Sequence, residues 1–171
     1  TDLAAAVEDA DLVIEAAPES MPLKLELFEQ VARFAPADSY FASNTSSLSV
    51  TEMGAASGRP ERFAGMHFFN PVHLMKLLEI VRGLETSDET VEVLTVVGEK
   101  MGKECVVVRD LPGFATSRIN ALIGNEAFRM LEQGVATAAD IDKAVRLGLN
   151  HPMGPFEMAD LVGLDVRLKI L

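Results

Sequence analysis

With 171 residues, 49% of them apolar and 24% charged, the chain has the composition of an ordinary globular protein with enough apolar residues to bury a core, which excludes a disordered tail. A formal charge of -11 excludes a binder of nucleic-acid backbones, which needs clustered Lys and Arg to displace counterions, but a few local donors still suffice for a small anionic ligand. A single cysteine, Cys105, excludes an internal disulfide framework, no apolar run is long enough to span a bilayer, and a reducing cytoplasm is the expected compartment.

Asp2 to Val7 reads as half an amphipathic helix opening abruptly at Thr1. Leu12-Val13-Ile14-Glu15-Ala16-Ala17 is a short apolar run suited to a buried parallel strand, and Pro18 ends it. Leu23, Leu27, Val31 and Phe34 then recur at helical spacing between Pro22 and Phe34. A second strand, Tyr40-Phe41-Ala42-Ser43, leads through Asn44-Thr45-Ser46-Ser47 into a helix whose Ser49-Val50-Thr51-Glu52 has capping-box spacing. Arg62 to Phe69 is a third strand, broken by Asn70-Pro71, and Lys76 to Val81 a fourth. Thr86-Ser87-Asp88-Glu89 reads as another capping box opening a helix, and Cys105 to Val108 is a fifth strand in which the cysteine is core filler.

Strands alternating with helices predict an open α/β sheet. Beyond Asp110-Leu111-Pro112-Gly113 the pattern turns wholly helical: a long helix to about Gln133 stopped by Gly134, a shorter one opened by Thr137 or Ala138, and another after Pro155. The domain boundary is therefore placed between residues 109 and 110. The last residues, Arg167-Leu168-Lys169-Ile170-Leu171, stop inside a helical pattern, so both ends are expected to be breaks in a longer frame.

In an open parallel sheet, ligands bind beyond the carboxyl ends of the strands, where helix N-termini and short loops converge. Glu19, Asn44, Ser46, His67 and Asn70 all fall at or just past such ends. Ser46 reads equally well as a helix cap. His67, alone in an apolar strand, is by itself more often a core residue, but Glu79 changes the weighing. If the strand turns back through Asn70 to Met75 and pairs antiparallel with the next, His67 and Glu79 are equidistant from His73 and face each other. A glutamate inside Leu77-Leu78-Glu79-Ile80-Val81 needs a partner to be buried. A histidine held by a carboxylate suits the removal of a proton from an alcohol, the step that accompanies hydride transfer to a nicotinamide. His73 and His151 adjoin turns and read as solvated loop residues, and no spacing typical of a metal site occurs.

Four motifs in register, Ser43-Asn44-Thr45-Ser46-Ser47, Gly65-Met66-His67-Phe68-Phe69-Asn70-Pro71-Val72, Pro112-Gly113-Phe114 and His151-Pro152-Met153-Gly154-Pro155-Phe156-Glu157, resemble those of 3-hydroxyacyl-CoA dehydrogenases, and most of all bacterial 3-hydroxybutyryl-CoA dehydrogenases. The resemblance implies a partial Rossmann-type NAD-binding domain over residues 1–109 and the start of an all-α substrate and dimerisation domain over 110–171. It implies that His67 is the catalytic base, Glu79 its orienting carboxylate, and Ser46 the hydroxyl that holds the substrate oxygen. It also implies NAD contacts from Glu19, Lys24, Ser46 and Asn70, substrate contacts from Lys24, Ser46 and Ser117, an acyl-CoA substrate and a homodimer. Ser117 stands where many members carry Asn, and the family's G-x-G-x-x-G turn is nowhere in these residues, so this piece alone is expected to bind NAD poorly and to be inactive. A non-catalytic truncated relic, a module of a multifunctional fatty-acid oxidation protein, and a generic sugar-acid dehydrogenase of similar architecture, which exclusive turnover of 3-hydroxy acids lacking CoA would favour, stay open as alternatives.

Overall fold

The computed structural model describes residues 2–170. It divides into two compact units, Thr1–Phe114 and Ala115–Leu171, whereas the sequence boundary was drawn between residues 109 and 110. Thr1 and Leu171, where breaks in a longer frame are expected, lie outside the described residues.

The first unit runs α1 (Leu3–Val7), β1 (Leu12–Glu15), α2 (Met21–Phe34), β2 (Tyr40–Ser43), α3 (Val50–Ala56), a short 3-10 turn at Pro60–Arg62, β3 (Phe63–Phe68), β4 (Leu77–Arg82), α4 (Asp88–Lys100) and β5 (Glu104–Arg109). The strands form one sheet in the order β1-β2-β3-β4-β5, parallel throughout except where β3 meets β4. This is the open α/β sheet that the alternation of strands and helices predicts.

Buried aromatics fix one face of the sheet. Phe28 of α2 lies edge-on to Phe63 of β3 with ring centroids 4.6 Å apart, and Val31, Phe41, Val50 and Met53 fill in around them. On the other face Leu94 and Val91 of α4 cover Met66, Leu78 and Ile80. Helices on both faces bury the central strands, which is why those strands read as continuous apolar runs.

Two local expectations are corrected. The helix α4 is not capped by Thr86: Ser87 is the N-cap, its Oγ accepting from the Thr90 amide at 3.1 Å. Thr86 donates instead to the carbonyl of Phe63 at 2.6 Å and accepts from the Gly83 amide at 2.9 Å, stitching the end of β4 to the start of β3. The second concerns β5, where the expected filler of the core is only partial: Val106 and Val107 are 42% and 53% exposed because β5 has a neighbour on one side only. Cys105 on it is half-buried against the α4 face.

The second unit is helical: α5 (Thr116–Glu132), α6 (Ala138–Gly148), α7 (Pro155–Val162) and α8 (Leu164–Ile170). Thr137 caps α6, accepting from the Asp140 amide at 3.2 Å. The N-cap of α7 is Gly154, which has no side chain to offer, and Asp142 of α6 takes over that task. Its carboxylate accepts from the amides of Phe156 at 2.8 Å and Glu157 at 3.0 Å, joining α6 to α7. No helix among the described residues is long and apolar enough to cross a membrane.

Candidate active site

The site is built where β1, β2 and β3 end. The strands β3 and β4 pair antiparallel with His67 opposite Glu79, as their equal distance from His73 suggests. Close approach of the strands there is helped by Gly65, opposite Val81, where a Cβ would lie only 2.7 Å from the Val81 Cβ. His67 Nδ1 is 2.7 Å from Glu79 Oε2, with the imidazole 4% exposed and the glutamate fully buried. A buried carboxylate at Nδ1 places the ring hydrogen there and leaves Nε2 with its lone pair outward. The Ser46 Oγ, on the loop after β2, lies 3.1 Å from that Nε2 and donates to it. Phe69 and Phe114 pack on the imidazole, at 4.5 Å and 5.6 Å between centroids, and keep water from its faces. Phe114 reaches this position from a turn in which both Gly113 (φ 74) and Phe114 (φ 49) are left-handed, a conformation a bulky residue adopts only under constraint.

Glu19 lies just past β1 with its side chain 38% exposed. One of its oxygens accepts from the Thr45 hydroxyl at 2.5 Å and the Ser46 amide at 3.0 Å. Asn44 holds the loop to β3, its Oδ1 accepting from the Phe68 amide at 2.9 Å. Asn70 is exposed, directly after β3 and before a cis peptide bond to Pro71. Lys24, in the first turn of α2, is 0% exposed, its ammonium 2.7 Å from Glu15 Oε1, 3.1 Å from the Ala17 carbonyl and 3.5 Å from Glu19 Oε2. Ser117 belongs to the second unit, half-buried in the first turn of α5. His73 is exposed and His151 half-buried, both in loops.

Sequence reasoning passed over Glu15, Ser43 and Thr45. Ser43 donates to Glu15 Oε2 at 2.6 Å. The available signal was the one used for Glu79: a glutamate closing an apolar strand needs a buried partner.

A hydroxyl, an imidazole and a carboxylate joined in line at the carboxyl edge of an α/β sheet define a class, α/β proteins equipped to move a proton at an oxygen. Residues 1–111 match the family model of the 3-hydroxyacyl-CoA dehydrogenase NAD binding domain, and residues 113–171 that of the 3-hydroxyacyl-CoA dehydrogenase C-terminal domain. The chain belongs to the 3-hydroxyacyl-CoA dehydrogenase family. It is 49% identical over 164 residues, 96% of this chain and 57% of the relative, to a probable 3-hydroxybutyryl-CoA dehydrogenase of Bacillus subtilis. It is 48% identical over its whole length to 54% of the mitochondrial hydroxyacyl-coenzyme A dehydrogenase of Sus scrofa. The crystal structure of (S)-3-hydroxybutyryl-CoA dehydrogenase from Ralstonia eutropha superposes with a TM-score of 0.95 at 42% identity, over 99% of this chain and 60% of that one. The chain thus spans little more than half the length of the relatives it matches.

Proposed function

We propose that the protein carrying these residues catalyses the reversible NAD-dependent oxidation of a (3S)-3-hydroxyacyl-CoA, of short chain such as 3-hydroxybutanoyl-CoA, to the 3-oxoacyl-CoA. The observation that carries this reading is the line Ser46–His67–Glu79, with hydrogen-bonded separations of 3.1 Å and 2.7 Å. His67 Nε2 takes the proton of the substrate hydroxyl, Glu79 stabilises the imidazolium that results, and Ser46 holds the oxygen as it becomes a carbonyl. Bound NAD would supply the acceptor for the hydride that leaves the same carbon.

The residues at this edge suit the nicotinamide end of that cofactor: Glu19 presents a carboxylate acceptor, Ser46 a hydroxyl and Asn70 an exposed amide. Lys24 serves NAD and substrate from behind Glu19, through its ion pair with that carboxylate. Ser117, which stands where many family members carry Asn, is a further candidate for a substrate contact. Exposed apolar side chains of that unit, among them Leu122 (64%), Leu161 (70%) and Leu168 (75%), support association of a second copy through it. The lone Cys105, without a disulfide, fits a reducing cytoplasm.

The test is a substrate panel on the complete protein, following NADH oxidation with acetoacetyl-CoA, longer 3-oxoacyl-CoA esters and the free 3-oxo acids. Turnover of the CoA esters, fastest with the shortest, is the expected result. Turnover of the free acids alone would replace this reading with that of a generic sugar-acid dehydrogenase of similar architecture.

A further inference from the structure

Behind the residues that face the site lies a buried carboxylate, Glu15, that the proposed chemistry does not use, and it is paired with Lys24. Glu15, at the end of β1, is 5% exposed and fully engaged: Oε1 meets the Lys24 ammonium at 2.7 Å and the Ala17 amide, and Oε2 accepts from the Ser43 hydroxyl at 2.6 Å. Lys24 donates to Glu15 and to the Ala17 carbonyl, and its ammonium also faces Glu19 as an ion pair at 3.5 Å. A buried ion pair contributes little to stability over an apolar pair of the same size, so its presence directs attention to what it holds in place. What it holds is Glu19. One Glu19 oxygen faces the Lys24 ammonium at 3.5 Å, and the other takes the Thr45 hydroxyl and the Ser46 amide. Ser46 in turn rests on His67.

We infer that Glu15 and Lys24 are positioning residues, which fix Glu19 and through it the backbone of Ser46 so that the Ser46 hydroxyl stays on His67 Nε2. The physical argument is charge sharing. The Lys24 ammonium divides its attraction between two carboxylates, the nearer being Glu15 at 2.7 Å and the farther Glu19 at 3.5 Å. With Glu15 neutral, Glu19 becomes its sole counter-charge and is drawn toward it, off the Ser46 amide. The shift needed is small, and misplacement of a group by an ångström is enough to slow a reaction many-fold.

The catalytic consequence rests on the function proposed above, but the geometry does not, and the experiment reads them separately. The complete protein, labelled with 15N in its histidine rings, is compared with Glu15→Gln and with Ser46→Ala as the reference for a lost contact. Expected is a shift of the His67 Nε2 resonance in Glu15→Gln in the same direction as in Ser46→Ala, together with a fall in kcat of about tenfold at saturating acetoacetyl-CoA and NADH. An unmoved Nε2 resonance in folded Glu15→Gln overturns the inference, whatever happens to kcat, because a merely structural pair would lower only the melting temperature. A moved resonance with unchanged kcat supports the positioning and removes Ser46 from the proposed chemistry. If Glu15→Gln does not fold, Lys24→Gln removes the ammonium that both carboxylates face and is read in the same way, an unmoved resonance again overturning the inference.

Discussion

His67 owes its role to what its two nitrogens touch. Glu79 at 2.7 Å from Nδ1 fixes the tautomer, and Nε2 is left to the hydroxyl side. That pairing could be read from the sequence, because a strand that turns back on itself obeys simple arithmetic about its turn, and because a glutamate among Leu78, Ile80 and Val81 cannot be buried alone. The Glu15–Lys24 pair could not be read in the same way: its members are nine residues apart, one on a strand and one on a helix, and no register links them. Cys105 was legible as filler, and its environment has a measurable consequence. Burial, aided by the charge of Glu99, raises its thiol above the ordinary value, and its Sγ faces the Thr95 carbonyl at 3.6 Å. The folded state thus keeps the thiol proton to higher pH than the unfolded state; the associated stability is complete below the unfolded pKa and lost as pH rises through the raised one. Alkylation by iodoacetamide at pH 8 is expected to be slower in the native protein than in the unfolded chain, with the native rate climbing as pH rises. Equal rates in the two states would show that β5 does not protect the thiol.

At the scale of elements, strands and helices announced themselves by period and by breakers, while the partners of individual caps did not. The spacing Thr86-x-x-Glu89 has the form of a capping box, yet the helix begins one residue later because the Thr86 hydroxyl bridges Phe63 and Gly83 within the sheet edge. Two substitutions separate these tasks. Thr86→Val leaves a buried carbonyl and a buried amide without their partner and is expected to cost about 2–3 kcal/mol. Ser87→Ala removes one cap and is expected to cost about 1 kcal/mol. Urea unfolding of both variants checks the order; a larger loss for Ser87→Ala would contradict the placement of Thr86. The exposure of β5 was illegible for a related reason: an apolar run reports β propensity, whereas its place at the sheet edge is a property of the whole topology.

For the whole molecule, the change from alternating to purely helical pattern near Asp110 marked two parts, and the chain passes from one compact unit to the other between Phe114 and Ala115. What the 171 residues cannot supply is equally a matter of sequence, for no G-x-G-x-x-G turn occurs among them. That turn brings backbone amides against a dinucleotide's pyrophosphate, and its loss removes several charge-assisted hydrogen bonds. Expressed alone, these residues are expected to bind NADH about a hundredfold or more weakly than the complete protein, by calorimetric titration. Equal affinities would show that this chain itself holds the pyrophosphate.

The central claim is that His67, oriented by Glu79, is the base. The measurement that tests it most directly is kcat for acetoacetyl-CoA reduction by the complete protein beside His67→Ala and Glu79→Gln, each verified as folded. The expected result is a fall of about 10²–10⁴ for His67→Ala and of at least about tenfold for Glu79→Gln. A folded His67→Ala variant that turns over at the wild-type rate would contradict the account.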